Sequence, residues 1–214
     1  MEIVGYLTTV LVAYLLGSIP TGFLVAKAKG IDIRSVGSGN IGATNVLRIL
    51  GKPAGVFVLV ADGLKGFAAP AWMSDVLIQS FGVKTSDGEF LRIAAGLMVV
   101  LGHNYTCWLK FKGGKGIATS AGVLAALVPW ALIIILSIWV VVFAASRYVS
   151  LASIAASFAL PFATWLTRGS RTMLVVTSAM AILAIYKHKE NIRRLLNGTE
   201  NRFASGKVQE GAAK

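Results

Sequence analysis

Three short stretches of this chain concentrate residue types that handle phosphate. The most telling is Lys110-Phe-Lys-Gly-Gly-Lys-Gly-Ile-Ala-Thr119, set between two apolar segments. Its lysines neutralise an anion, and Gly113, Gly114 and Gly116 let a backbone come close to one. A helix beginning near Gly116 aims its N-terminal N–H groups at the same place. A positive-inside anchor whose stems snorkel to lipid headgroups explains Lys110 and Lys112, but not the glycines around Lys115. Lys115 is therefore the sharper candidate. The stretch is not a Walker A loop, because G-x-x-x-x-G-K-[ST] is not satisfied.

The second stretch runs from Arg34 to Arg48. Gly37, Gly39 and Gly42 spell G-x-G-x-x-G, but the dinucleotide fingerprint needs a preceding strand and a βαβ unit, and an apolar helix precedes this one. What remains is a glycine-rich turn with Ser38, Asn40, Thr44 and Asn45 as polar groups, leading into a short helix that carries Arg48. The alternative is a flexible connector, which rarely gathers so many anion-binding groups. The third stretch runs from Lys187 to Arg202. His188 and Asn191 are three apart, so a helix puts them on one face. His188 is placed to orient a hydroxyl or act as a base; the alternative is a solvated basic helix.

Other polar residues need a role. Asp62 and Lys65 lie within an apolar segment at i, i+3, where charges pair and face the protein interior. Ser150 and Ser153 open another apolar segment; Ser150 suits an N-cap and Ser153 a phosphate contact. His103 and Cys107 are four apart on one expected helix face, but no further His or Cys completes a zinc ligand set.

These groups must be held by membrane helices. The 214 residues are 56% hydrophobic and 14% charged, with a mean hydropathy of +0.72, too apolar for a soluble domain. One cysteine excludes an internal disulfide. The net charge of +12 suits basic cytoplasmic loops and anionic substrates; no basic-aromatic module points to nucleic acid. Apolar segments fall at 3–26, 54–74, 92–108, 117–128, 130–146, 150–167 and 172–186. Residues 116–146 contain 31 uncharged positions. One helix of that length spans about 46 Å, against a core of about 30 Å, so two helices with a turn near Pro129 are expected. The positive-inside rule agrees: seven spans with the N-terminus outside put 16 Lys and Arg inside and 4 outside, whereas six spans give 10 and 10. The expected fold is all-α, a seven-transmembrane-helix bundle with a periplasmic N-terminus and a cytoplasmic C-terminus. Residues 1–203 are expected to form one integral membrane domain. A polar loop is expected at 75–90, a basic tail able to lie on the membrane surface after Lys187, and a disordered end at 204–214. There is no convincing internal repeat.

Ser38-Gly-Asn-Ile-Gly-Ala-Thr-Asn-Val-Leu-Arg48, Gly102-His-Asn with Phe111-Lys-Gly-Gly-Lys-Gly-Ile-Ala-Thr119, and His188-Lys-Glu-Asn-Ile-Arg-Arg-Leu-Leu-Asn-Gly-Thr-Glu200 resemble the three motifs of the bacterial acyl-phosphate:glycerol-3-phosphate acyltransferases. Asp62-Gly-Leu-Lys-Gly66 and Tyr148-Val-Ser-Leu-Ala-Ser153 also resemble that family, and the likeness runs from about residue 10 to 203. One departure is Thr106, where many relatives carry proline. The resemblance implies a multi-pass enzyme of the bacterial inner membrane, with its active site on the cytoplasmic face. It would acylate the sn-1 hydroxyl of glycerol-3-phosphate with acyl phosphate, giving lysophosphatidic acid and phosphate in phospholipid biosynthesis. It implies no cofactor or metal, and a soluble acyl-phosphate synthase as a partner. By resemblance, Ser38, Gly39, Asn40, Arg48, Lys115, His188 and Asn191 hold glycerol-3-phosphate and the transferring group. Thr44, Asn45, Lys112, Gly113, Gly114, Gly116, Ser150, Ser153 and Glu200 would bind substrate or phosphate, with Asp62 and Lys65 as a supporting pair. Backbone N–H groups near Ser38–Asn40 would stabilise the oxyanion. The rival reading is a transporter or channel for a phosphorylated metabolite, which places its site near the midplane between repeated halves.

Overall fold

The computed structural model describes residues 2–82, 88–168 and 170–203, and no strand occurs among them. The tail expected to be disordered, 204–214, lies outside the described residues. The chain divides into two compact units, Met1–Leu127 and Val128–Lys214.

The first unit contains α1 (Glu2–Ser18), α2 (Thr21–Lys27), α3 (Ala43–Leu50), α4 (Lys52–Ala68), α5 (Ser74–Phe81), α6 (Gly88–Asn104) and α7 (Ile117–Leu127). The apolar segment expected as one helix over 3–26 is broken at Pro20, whose ring and missing N–H interrupt the ladder after Ser18. The segment expected over 54–74 is longer: α4, a π-turn at Ala69–Met73 and α5 form a 30-residue run, Lys52–Phe81. Pro70 lies in the π-turn, where the wider turn accommodates its ring. The loop expected at 75–90 is therefore helical at both ends, and Arg92 of α6 reaches Asp75 of α5 at 2.7 Å. Residues 83–87 lie outside the described residues. At the other end, α6 stops at Asn104 and a single 3-10 turn follows at Cys107–Leu109. His103 and Cys107 consequently do not share a helix face.

Small residues let these helices approach closely. α4 packs on α7 and α1 on α6. A Cβ on Gly66 would strike the Thr119 carbonyl, and one on Gly122 the Gly63 carbonyl, the small-residue contact that membrane helices use when apolar burial gives no drive between them.

The second unit contains α8 (Pro129–Ser146), α9 (Val149–Arg168), α10 (Arg171–Lys187) and α11 (Lys189–Leu196). Pro129 opens α8 at a position where its missing N–H is no loss, so the long apolar stretch does resolve into two helices. α8 buries only Ala131 and Ile135, and a helix apolar on all sides is one that lipid covers. α9 packs against both α8 and α10. After α11 the chain turns at Gly198 (φ 68°). Phe203 N donates to Arg147 O at 2.8 Å, and its ring meets Phe143 at 5.6 Å between centroids. The described end of the tail thus returns to the end of α8.

Among the described residues, four helical runs are long and apolar enough to cross a bilayer: Ile3–Lys27, Lys52–Phe81, Pro129–Ser146 and Val149–Arg168. α6 and α10 have 17 residues each, and α7 has 11.

Candidate active site

In the first unit, a glycine-rich turn leads into α3. Gly37 (φ 61°) and Gly39 (φ 68°) take left-handed conformations that close the turn. Asn45, buried at the start of α3, holds it together. Its Oδ1 accepts the Ser38 N–H at 2.9 Å. Its Nδ2 faces the carbonyls of Ile33, Val36 and Asn40 at 3.2, 3.1 and 3.0 Å. Asn45 is thus a scaffold residue rather than a phosphate ligand. Gly39 N donates to Val36 O at 3.0 Å, and Gly42 N to Asn40 Oδ1 at 2.9 Å.

For Ser38 and Gly39 this corrects the oxyanion expectation. A turn this tight consumes its own donors, as backbone groups removed from water must, so the N–H groups of Ser38 and Gly39 are spent internally. Thr44 and Arg48 lie one turn apart on α3 and share a half-buried face, and the Ser38 side chain is exposed above the turn.

The lysine stretch meets this turn through a common core. Leu109, just before it, is buried with Ile33, Ile41, Val46, Val58 and Ala26. Lys110 (φ 53°) and Phe111 (φ 59°) are left-handed without being glycine, a conformation that costs about 1–3 kcal/mol each and is held only by surrounding structure. The chain then doubles back along the end of α6: Gly113 N donates to Asn104 O at 3.2 Å and Gly114 N to His103 O at 3.0 Å. A Cβ on Gly113 would strike the His103 carbonyl, and one on Gly114 the His103 ring. The Cβ side of both glycines thus faces the end of α6. Lys110 and Lys112 are exposed, whereas Lys115 is half-buried between Gly114 and Gly116 (φ 76°), just ahead of α7.

Asp62 and Lys65 do pair, with Nζ 2.8 Å from Oδ1. Thr21 Oγ1 donates to the same carboxylate at 3.2 Å, Lys65 Nζ also donates to Ile19 O at 2.9 Å, and His103 Nδ1 lies 3.6 Å from Asp62 Oδ1. The chain break at Pro20 supplies both Thr21 and the Ile19 carbonyl. Thr106, at the position of the relatives' proline, has φ −63°, an angle proline also takes, and its hydroxyl donates to Ser18 O at 2.6 Å.

In the second unit, His188 is the joint between α10 and α11 (φ −96°, ψ 7°). It is buried, and its Nδ1 is 2.8 Å from Ala184 O. A carbonyl only accepts, so Nδ1 carries the proton in this contact. Asn191, also buried, donates from Nδ2 to Glu200 Oε1 at 2.7 Å. Ser150 Oγ donates to the same oxygen at 2.8 Å, and Arg194 Nε to Oε2 at 2.7 Å. Burial raises the Glu200 pKa, but hydrogen bonds from Asn191, Arg194 and Ser150, with the charge of Arg194, outweigh it and hold the carboxyl below its ordinary value.

Glu200 therefore gathers Asn191, Ser150 and Arg194, and an ionised carboxylate so placed repels phosphate rather than binding it. Ser150 lies inside α9 rather than capping it, and its hydroxyl serves Glu200. Ser153 Oγ donates to Val149 O at 2.9 Å and accepts from Trp139 Nε1 at 3.1 Å, which ties α8 to α9. Sequence reasoning missed Thr21, Trp139 and Arg194. Arg194 and Glu200 are six residues apart across a turn, and no helical spacing pairs them.

These observations define the class: an all-helical integral membrane protein with cationic and polar side chains on short connecting segments. Residues 7–198 match the family model described as glycerol-3-phosphate acyltransferase. The glycerol-3-phosphate acyltransferase of Geotalea daltonii is 47% identical over 191 residues, covering 89% of this chain and 94% of the relative. That of Aquifex aeolicus is 45% identical over 194 residues, covering 91% and 97%. A crystal structure of PlsY (YgiH), an integral membrane glycerol 3-phosphate acyltransferase in its glycerol 3-phosphate form, matches with TM-score 0.82 at 43% identity over 93% of this chain and 96% of that one. The lysophosphatidic acid form matches with TM-score 0.80 at 42% identity, covering 95% and 97%. The chain belongs to the glycerol-3-phosphate acyltransferase family.

Proposed function

We propose that this chain transfers a fatty acyl group from acyl phosphate to the sn-1 hydroxyl of glycerol 3-phosphate, releasing lysophosphatidic acid and phosphate. The observation that carries the reading is the family match over residues 7–198. Acyl phosphate is a mixed anhydride, so the donor arrives activated and the protein has to bring hydroxyl and carbonyl together. Arg48 and Lys115 supply charge for the phosphates, and the Ser38 hydroxyl and Thr44 supply neutral hydrogen bonds. In the second unit His188 and Asn191 are the residues proposed for handling the hydroxyl, with Asn191 held by Glu200. The hydroxyl oxygen forms a bond to the carbonyl carbon, the bond from that carbon to the phosphate oxygen breaks, and the proton leaves with the phosphate.

In this reading residues 1–203 act as one domain of seven membrane helices in the bacterial inner membrane. The N-terminus is periplasmic, and the C-terminus and active site are cytoplasmic. The 16 to 4 division of Lys and Arg supports that orientation. A soluble acyl-phosphate synthase supplies the donor.

The test is incubation of purified protein with acyl phosphate and glycerol 3-phosphate. Phosphate release and lysophosphatidic acid in equal amounts, requiring both substrates, are expected. Uptake of glycerol 3-phosphate into vesicles without product would replace the reading with a transporter. For orientation, cysteines introduced at Ser35 and Lys214 in a Cys107→Ala background should both resist an impermeant maleimide in intact cells. Labelling of one alone would overturn the topology.

A further inference from the structure

We propose that His103 is a positioning residue for Lys115, acting through Gly114 and fixed from behind by the Asp62–Lys65 pair. The inference rests on the reading above that Lys115 meets substrate phosphate. His103 is buried at the end of α6 and is held on two sides. On one side its Nδ1 lies 3.6 Å from Asp62 Oδ1, a carboxylate locked by Lys65 and Thr21. On the other, its ring fills the space a Gly114 side chain would occupy. Its carbonyl accepts the Gly114 N–H at 3.0 Å, so ring and backbone both fix Gly114.

Lys115 is the next residue. Its Cα is therefore placed by a surface that begins at the break between α1 and α2, passes through an ion pair on α4, and ends in an imidazole ring. The arrangement explains why buried charges sit in an apolar segment: they hold the one ring against which the lysine segment is laid. It also explains why glycine stands at 114, since the ring leaves no room for a Cβ. A misplacement of about 1 Å at a positioning group lowers turnover by up to roughly 100-fold, so a ring in contact with this backbone is enough to govern Lys115.

The test is a pair of variants made singly and together. Gly114→Ala forces the lysine segment off the ring and should lower kcat/KM by about tenfold or more, with KM for glycerol 3-phosphate rising more than kcat falls. His103→Ala, added to Gly114→Ala, opens the space and should recover at least about threefold of that loss. In a Lys115→Ala background, His103→Ala should change kcat/KM by less than about twofold, because the group it positions is gone. If His103→Ala does not yield a monodisperse protein in detergent, His103→Ser, which also opens the space and keeps a polar group, takes its place in each comparison.

A second readout does not depend on the reaction. In His103→Ala (or →Ser), labelling of Lys115 by an amine-reactive reagent, read by peptide mass spectrometry, should accelerate relative to Lys110 and Lys112. Reciprocal rescue with selective labelling establishes the positioning role. Independent, multiplicative losses with unchanged Lys115 labelling overturn it and leave His103 a packing residue. Selective labelling in a protein that forms no lysophosphatidic acid would remove the proposed function while keeping the link between His103 and Lys115.

Discussion

Asn45 holds Ser38 by its backbone: the Asn45 Oδ1 accepts the Ser38 N–H at 2.9 Å while Nδ2 faces three carbonyls of the same turn. One buried amide thus sets the position of the serine hydroxyl and, through α3, its relation to Thr44 and Arg48. Replacing Asn45 by Asp keeps the acceptor but turns a carboxylate oxygen toward the Ile33, Val36 and Asn40 carbonyls. The expected loss is about 3 kcal/mol of stability. Asn45→Ala should cost about 2 kcal/mol. Thermal unfolding in detergent measures both, and kcat/KM should fall in each variant in proportion to how far Ser38 moves.

Lys115 is the half-buried lysine of its segment. Lys115→Ala should lower kcat/KM by about 3 kcal/mol, roughly 100-fold, the order of a lost charge-assisted contact in a dry site. Lys110→Ala and Lys112→Ala, both exposed, should each change it far less. Steady-state kinetics with glycerol 3-phosphate varied separates the three.

The pair formed by Asp62 and Lys65 is almost wholly buried, with side chains 3% and 6% exposed. Asp62→Ala strands the Lys65 ammonium and should destabilise by about 3–5 kcal/mol. The double substitution Asp62→Leu with Lys65→Met removes both charges and should unfold at a higher temperature than Asp62→Ala alone. Thermal shifts of the two variants provide the comparison.

The Glu200 carboxyl has a depressed pKa in the folded state. A depressed value means its contribution to stability is complete above the unfolded value, about 4.3, and is lost as pH falls through the folded one. Stability should be level from about pH 7 to about pH 5 and then decline. Glu200→Gln should be less stable at neutral pH, and its difference from the wild type should shrink on acidification. A difference that stayed constant across that range would mean another group carries the acid sensitivity.

His188→Ala tests proton handling. Loss of turnover with glycerol 3-phosphate binding intact would assign the ring as the base, and residual turnover with weakened binding would leave the proton with the donor phosphate. Isothermal titration beside the kinetic assay distinguishes them.

Much was legible in the amino-acid order because membrane helices announce themselves by apolar length, and anion sites by Lys, Arg, Gly and Ser in short runs. The two helices around Pro129, the pairing of Asp62 with Lys65, and the turn carrying Ser38 into the Arg48 helix could all be read locally, since each depends on neighbours a few residues apart. What could not be read was which donors are already taken. Whether the N–H groups of Ser38, Gly39, Gly113 and Gly114 face a ligand or the protein depends on Asn45, Val36, Asn104 and His103, and local spacing does not show how those groups fold against them. The same holds for Glu200, whose partners Asn191 and Arg194 on α11 and Ser150 on α9 come from two distant parts of the chain. Residue types and their order determined the class of chemistry; only the folded chain decided which groups carry it and which hold the carriers, because a hydrogen bond joins atoms by distance in space and not by distance in sequence.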